Sequence, residues 1–199
     1  MPGGRPRSYD PEAALNAAML NFWTQGYEGT AMSDLTAAMG MSAPSIYAAF
    51  GDKETLFRKA VERYMAGPGS YLGAALEQRT AEGLARTFLH SAVDAVAGDH
   101  TPPGCLVTQS ALAVNPRALS VQQYLTGLRE AGVASLADRL RSFADLPTGS
   151  DPAVLARLLV AVVQGFAVQA ASGVPREALR ATADQMLLQW PRREGRATS

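Results

Sequence analysis

Several residue types are scarce in the sequence, and each scarcity narrows the class of protein. The 199 residues include one cysteine, Cys105. No internal disulfide can therefore form, which is typical of a reducing compartment such as the cytosol. Lysine plus arginine number 18, as do aspartate plus glutamate, so no charge excess points to a nucleic acid or an anionic membrane. The longest unbroken apolar run, 158–163, falls far short of the ~20 residues that span a bilayer. No apolar stretch follows residues 1–5, as a secretory signal would require. We expect a cytoplasmic protein with no membrane partner.

Alanine dominates what is present, with 36 of the 199 residues, and it favours an all-α fold. Alanine is the strongest helix former, and valine and isoleucine do not alternate as they would in strands. Hydrophobic residues make up 47% and charged residues 18%, which excludes a disordered chain. The length suffices for one large domain or two small ones.

Start and stop signals divide the chain into short helices up to residue 66 and longer helices after it. Asp10 and Pro11 predict the start of the first helix, and Gly26 its end. Further helices are predicted at about 33–39, 43–50, 53–66, 71–97, 103–113, 117–144, 151–172 and 175–190.

The two short helices at 33–39 and 43–50 meet at a tight turn around Gly40, which is the pattern of a helix-turn-helix. Ile46 and Phe50 would face the core. The opposite face of the second helix would carry small, hydroxyl-bearing or aromatic residues, namely Ser42, Ala43, Ser45 and Tyr47. A short helix of this kind fits the major groove with its N-terminal residues at the base edges. The pattern therefore predicts double-stranded DNA as a partner.

Three segments in this region closely resemble the TetR family of bacterial transcription regulators: GYEGT at 26–30, DLTAAMGM at 34–41 and PSIYAAFGDKETLF at 44–57. The resemblance covers about residues 9–65. It implies an all-α fold in which an N-terminal three-helix helix-turn-helix domain precedes a larger helical bundle for ligand binding and dimerisation. It also implies a homodimer on a palindromic operator and a C-terminal domain that binds an inducer. We predict a repressor that a small-molecule effector releases; the alternative is an activator, because the sequence does not give the sign of the coupling. The implied divisions are an arm (1–8), a DNA-binding domain (9–66, motif about 30–50), an effector and dimerisation domain (67–191) and a tail (192–199).

The resemblance also assigns positions that face the operator. Tyr47 and Lys53 match residues that contact backbone phosphate, and Thr30 matches a threonine that opens the second helix. The remaining matched positions are Ser33, Ala43, Pro44, Ser45 and Ala49. Ala31 departs from the family pattern, which has a capping Ser or Thr there, and positions 33 and 43 lack long donors for reading bases. The alternatives are that Tyr47 packs against the first helix and that Lys53 is an ordinary surface lysine.

The charge of the N-terminal region gives little support to DNA binding, because residues 1–65 hold six basic and seven acidic side chains. Binding must therefore rest on locally placed groups. Arg5 and Arg7, in an Arg-Pro-Arg arm, suit the minor groove, where arginine is favoured. The alternative is a disordered tail that aids solubility.

Cys105 lies at the predicted opening of a helix, a position that favours the reactive thiolate. The Gly-Cys-Leu sequence there is similar to TetR-family members that sense oxidants or electrophiles through a cysteine. The competing interpretation is a small buried hydrophobic residue. The family arrangement implies an effector pocket among the longer helices, with candidate lining residues Met65, Phe88, Cys105, Gln109, Tyr124, Gln164 and Phe166. The alternative for each of these residues is an ordinary place in the core.

The apolar helices 151–172 and 175–190 are predicted to form the dimer interface, with small residues such as Ala161 and Gly165 allowing close approach. The candidate contacts are Leu158, Val162, Gly165, Leu179, Met186 and Trp190. His90 and His100 have no second ligand at metal spacing, so no metal and no cofactor are expected. The sequence shows no recognisable catalytic motif. The rival interpretations are an enzyme using Cys105 with a histidine and a ligand-binding protein that does not bind DNA.

Overall fold

A computed structural model describes residues 9–111 and 118–192, and within those ranges the chain forms ten α-helices and no strand. The predicted arm residues Arg5 and Arg7 and the tail beyond Arg192 lie outside the described residues. The helices are α1 (Pro11–Gly29), α2 (Met32–Met39), α3 (Ala43–Phe50), α4 (Lys53–Ala66), α5 (Tyr71–Leu76), α6 (Ala81–Val96), α7 (Leu106–Ala111), α8 (Leu119–Arg141), α9 (Pro152–Ala171) and α10 (Arg176–Leu188). The all-α prediction is confirmed.

The helical conformation of α1 breaks at Gly26, the position where the sequence predicts the end of the first helix. Gly26 has φ 73° and ψ 173°, a conformation essentially restricted to glycine. The chain kinks there and then continues as helix to Gly29. At the N-terminus, the Asp10 carboxylate accepts from the Glu12 N–H at 2.9 Å, and this cap agrees with the predicted start.

The prediction of one helix over 71–97 is wrong, because the structure has two helices there, α5 and α6. The Thr80 hydroxyl caps α6 by accepting from the Gly83 N–H at 3.0 Å. Arg139 donates to the Leu76 carbonyl at 2.8 Å, and the Asp145 carboxylate accepts from the Ala81 N–H at 3.0 Å. Contacts from residues distant in sequence therefore stabilise the break.

The core runs from the first four helices into the rest of the chain. Aromatic rings of α1 and α4 pack edge to face, with 5.1 Å between the centroids of Phe22 and Phe57 and 4.8 Å between those of Trp23 and Tyr64. The Trp23 indole N–H donates to the Gly104 carbonyl at 3.1 Å. The C-terminal half of α4 is thereby fixed against the segment that carries Cys105.

Helix α9 is long and apolar enough to cross a membrane by length and composition alone. It packs instead against α6 and α8, and this packing buries Leu159, Val163 and Phe166. Arg157 forms an ion pair with Glu130 of α8 at 2.7 Å. α9 is thus a core helix with one exposed apolar side.

Candidate DNA-binding surface and ligand cavity

The turn between α2 and α3 is built from local signals. Gly40 adopts the left-handed conformation, with φ 62° and ψ 29°, and its N–H bonds to the Thr36 carbonyl. This conformation is cheap only for glycine. At the start of α2, Ala31 offers no side-chain cap, but the Asp34 carboxylate accepts from its backbone N–H at 2.8 Å. The departure from the family pattern at position 31 therefore leaves this N–H satisfied.

Helix α3 presents a polar, small-residue face outward. Ile46 and Phe50 are buried, as predicted. The Ser42 hydroxyl accepts from the Ser45 N–H at 3.3 Å, and the two serine hydroxyls lie 2.8 Å apart. Tyr47 is 49% exposed, so its ring does not form part of the core. The other outward positions are Pro44, Ala48 and Ala49, while Ala43 is partly exposed.

Lys53, at the start of α4, is held in place by its neighbours. Its ammonium lies 4.5 Å from the centroid of the Tyr27 ring, a cation–π contact. Tyr27 packs in turn against Phe57, with ring centroids 5.0 Å apart. Burial lowers the pKa of Lys53, and the nearby carboxylates of Glu28 and Asp34 oppose this shift. Lys53 is therefore a positioned cation beside the helix-turn-helix.

Thr30 does not have the accessibility expected of a phosphate contact. Its side chain is 1% exposed, and its hydroxyl donates to the Gly26 carbonyl at 2.8 Å. This hydrogen bond stabilises the C-terminal end of α1, which follows the kink at Gly26. Ser33 is exposed and stays among the candidate contacts.

Two other basic side chains of this region pair with carboxylates, whereas the Lys59 ammonium lies 5.7 Å from the centroid of the Phe50 ring. Arg58 pairs with Glu54 at 2.7 Å, and Arg63 pairs with Glu12. The Asp52 carboxylate caps α4 by accepting from the Thr55 N–H at 2.7 Å, and this hydrogen bond lowers the pKa of Asp52. The positive charge nearest the start of α4 is thus that of Lys53.

A cavity of about 90 Å³ lies between the end of α4 and helices α5 to α9. Four predicted pocket residues line it: Met65, Phe88, Cys105 and Gln164. The other three lie elsewhere. The Gln109 amide donates to the Pro103 carbonyl at 3.0 Å, the Tyr124 ring packs under the Arg58 guanidinium at 4.4 Å, and Phe166 is buried in the core. These three side chains do not line this cavity.

The polar groups of the cavity include two that sequence patterns did not indicate, Tyr64 and Arg129. The Tyr64 hydroxyl and the Arg129 Nη1 atom are buried and have no hydrogen-bond partner among residues 9–111 and 118–192. Burial raises the pKa of Tyr64, and the nearby Cys105 thiol adds to this effect. Burial also raises the pKa of Tyr71, another lining residue. The phenol of Tyr64 is therefore a protonated donor.

The predicted interface residues divide into two groups. Leu179 and Trp190 are 0% and 4% exposed, so they belong to the core of the protomer and cannot contact a second chain. Leu158 is 48% exposed, and Val162, Gly165 and Met186 are partly exposed. Only this second group is available at the surface.

The two histidines do not lie at a cluster of metal ligands. The His90 Nε2 atom lies 3.1 Å from an Asp184 carboxylate oxygen, and His100 is exposed. Across 9–111 and 118–192, no group of three or more His, Cys, Asp or Glu side chains is placed to hold a metal ion.

Comparisons with known proteins connect this fold and surface to one class. The family model described as "Bacterial regulatory proteins, tetR family" matches residues 14–60. The HTH-type transcriptional repressor ComR of Escherichia coli (strain K12) is 30% identical over 193 residues, covering 94% of this chain and 92% of ComR. The repressor BdcR of the same organism is 30% identical over 124 residues, 61% of this chain and 63% of BdcR.

The solved structures extend the similarity to the whole fold. A cysteine mutant of the TetR family transcriptional regulator CifR, complexed with 26-bp double-strand operator DNA, superimposes with a TM-score of 0.90. It is 37% identical, and the match covers 94% of this chain and all of that one. The matches define a DNA-binding regulator with an N-terminal helix-turn-helix and a C-terminal helical domain. The chain belongs to the TetR family of bacterial transcriptional regulators.

Proposed function

We propose that the protein is a transcriptional repressor that binds a palindromic operator as a homodimer and leaves it when a small molecule occupies the cavity. The observation that carries the DNA-binding part is the outward face of α3, where Ser45 and Tyr47 are exposed beside the positioned Lys53. The relatives named as repressors support repression rather than activation.

The dimer is supported by the exposed apolar side of α9. Val154, Leu158 and Val168 are 62%, 48% and 44% exposed, and they recur with Ala161 and Gly165 at alternating spacings of four and three. Such spacing places all five on one face of the helix. An isologous interface uses the same patch on both subunits, so this α9 stripe can pack against its own copy.

The dimer is tested by Leu158→Glu, with Leu119→Glu as the control because Leu119 is similarly exposed, at 51%, but lies on α8. Light scattering should show that Leu158→Glu shifts the protein to monomers, while Leu119→Glu leaves the mass unchanged. A dimer that persists in Leu158→Glu, or that dissociates equally in both variants, contradicts the proposed interface.

Operator binding is tested by selecting genomic fragments with the purified protein and footprinting the bound sequence. We expect two protected half-sites related by a dyad, spaced by about one DNA turn of 34–36 Å or a multiple of it. Tyr47→Ala should weaken binding, whereas Arg141→Gln, an exposed residue of the C-terminal bundle, should not. Selection without enrichment, or equal affinity of Tyr47→Ala and wild type, contradicts the proposal.

A second candidate function is sensing of oxidants or electrophiles through Cys105. The observation that favours it is that this buried thiol lines the cavity beside the Tyr64 phenol, so a reactive molecule in the cavity would meet the sulfur. Iodoacetamide would form a thioether at Cys105 and release iodide. Loss of operator binding after this treatment, absent in Cys105→Ser, supports sensing. An unreactive Cys105, or full DNA binding after complete modification, excludes it.

A further inference from the structure

Six side chains of the described ranges hold a buried polar atom without a hydrogen-bond partner: Asn21, Tyr64, His90, Ser110, Arg129 and Trp190. Two of these, Tyr64 and Arg129, line the same cavity. They come from helices α4 and α8, far apart in sequence, so the fold itself brings the pair together. Burying an unpaired polar group is costly, so two such groups lining one small cavity favour the binding of a ligand that pairs with both.

Both unpartnered groups are suited to donate. The Arg129 guanidinium is a donor only and is always charged. Its Nη2 atom donates to the Thr126 hydroxyl at 2.9 Å, while Nη1 is buried and unpaired. The side chain of Tyr64 is 1% exposed, and its phenol is protonated. The ligand must therefore supply hydrogen-bond acceptors.

The charge of the Arg129 side chain, which lines the cavity, favours one kind of hydrogen-bond acceptor. No aspartate or glutamate is among the described residues that line the cavity, so no lining side chain neutralises Arg129. A carboxylate balances the charge and can accept from two donors at once, in charge-assisted hydrogen bonds that are stronger than neutral ones. A neutral carbonyl would accept from the same donors but would bring no opposite charge to Arg129, whose side chain is partly exposed.

The remaining wall is apolar and leaves room for a compact body. It includes Leu72, Phe88, Leu128, Leu136 and Val163. The volume of about 90 Å³ exceeds several-fold the 10–15 Å³ that one water requires. A short branched or aromatic hydrocarbon fits these walls by burying apolar surface.

We infer that the cavity binds a small organic acid, whose carboxylate accepts from Arg129 and Tyr64 and whose apolar body packs against the leucine, phenylalanine and valine side chains. The inferred ligand class is that of the effector. Only the regulatory consequence of its binding, release from the operator, rests on the proposed function. Binding itself can be measured without DNA.

Calorimetric titration of the DNA-free protein tests the ligand class with benzoate and 3-methylbutanoate as probes. Benzamide lacks the charge, and acetate lacks the apolar body. We expect both probes to bind at least about tenfold more tightly than benzamide, given the strength of hydrogen bonds to charged groups, and more tightly than acetate. Equal binding of benzoate and benzamide, or no binding of either carboxylate probe, overturns the inference.

Variants of the two donors test the geometry. Arg129→Gln should weaken benzoate binding by about tenfold or more, Arg129→Lys should restore part of it by returning the charge, and Tyr64→Phe should weaken it several-fold. Arg141→Gln, on the same helix but exposed, is the matched control. Unchanged binding in a correctly folded Arg129→Gln contradicts the assignment, as does equal loss in the control.

Operator release is measured separately, by adding benzoate to the protein–DNA complex. Benzoate that binds through Arg129 without releasing DNA confirms the ligand class and contradicts the proposed effector mechanism. Failure of all carboxylates to bind a protein that does bind its operator overturns the ligand class and leaves the repressor proposal standing.

Discussion

Replacing Tyr64 by phenylalanine should stabilise the protein, although tyrosine-to-phenylalanine changes in a core commonly cost stability. The Tyr64 side chain is 1% exposed, and its hydroxyl has no hydrogen-bond partner among the described residues. Besides burial, the groups that raise the pKa of Tyr64 are the Cys105 thiol and the Tyr71 phenol, and a thiol is a weak hydrogen-bond partner. Phenylalanine keeps the ring, and with it the edge-to-face contact with Trp23.

The size of the effect follows from the cost of an unsatisfied buried donor. That cost is about 1–3 kcal/mol, and Tyr64→Phe removes it without deleting a strong hydrogen bond. For a chain of this size, 1 kcal/mol shifts Tm by about 2–4 °C. We therefore expect Tm to rise by roughly 2–12 °C.

The assay is differential scanning calorimetry of the ligand-free protein at fixed concentration, because the Tm of a dimer depends on concentration. Tyr47→Phe is the control, since the exposed Tyr47 is hydrated and its loss should change stability by no more than about 0.5 kcal/mol. A Tm for Tyr64→Phe that is lower than wild type would refute the reasoning, because it would show that the hydroxyl has a strong partner.

Three further outcomes follow from the contacts described above. Lys53→Ala should reduce affinity for all DNA sequences nearly equally, and it should make the slope of log affinity against log salt concentration shallower by about one unit per protomer. Lys59→Ala is the control. An unchanged slope in filter-binding measurements of Lys53→Ala would exclude a phosphate contact. Thr30→Ala should lower the free energy of unfolding by about 1 kcal/mol and leave the salt dependence unchanged, since its hydroxyl serves α1. Hydrogen bonds from Arg192 and Arg86 lower the pKa of Glu82 from 4.5 to about 2, so its stabilising contribution is present above pH 4.5 and is lost as the pH falls toward 2. Acid titration of Arg192→Gln should show a smaller loss, because the Arg86 pair remains.

The sequence predicts the helix-turn-helix well because its signals are local. Ser42 and Asp52 cap helices within three residues of themselves, and Gly40 closes the turn by its own backbone conformation. Such short-range signals can be recognised in the sequence without knowledge of the tertiary fold. The core positions Ile46 and Phe50 follow from the same helical spacing.

The ligand cavity could be predicted only in part, because its donors meet through tertiary packing. Tyr64 has the spacing of an ordinary core residue on α4, and Arg129 that of a surface residue on α8, so no pattern relates them. The division of 71–97 has the same origin, since Arg139 of α8 and Asp145, which follows α8, bond to the residues at the break. Leu179, predicted at the interface, is covered by neighbouring helices of its own chain.

The two functional regions share helix α4 and are also linked through α8. The Ser120 hydroxyl, near the start of α8, donates to the Glu54 carboxylate at 2.6 Å, and Glu54 lies next to Lys53 in the first turn of α4. This hydrogen bond and the one from Arg58 lower the pKa of Glu54. Arg129 lies further along α8, by about 14 Å of helix axis, so a ligand that draws Arg129 inward would also move Ser120 against α4.

Ser120→Ala should therefore weaken the coupling between the cavity and the operator more than it weakens either binding event. Allosteric coupling of about 1–3 kcal/mol corresponds to 5–150-fold shifts in affinity, and loss of the Glu54 hydrogen bond should remove a measurable part of it. The measurement is operator affinity with and without saturating benzoate, in wild type, Ser120→Ala and the control Ser135→Ala, whose hydroxyl bonds only within α8 to the Ala131 carbonyl. If Ser120→Ala retains the full ligand-induced shift, α8 does not transmit it through this contact, because the only change made was removal of the Ser120 hydroxyl that donates to Glu54.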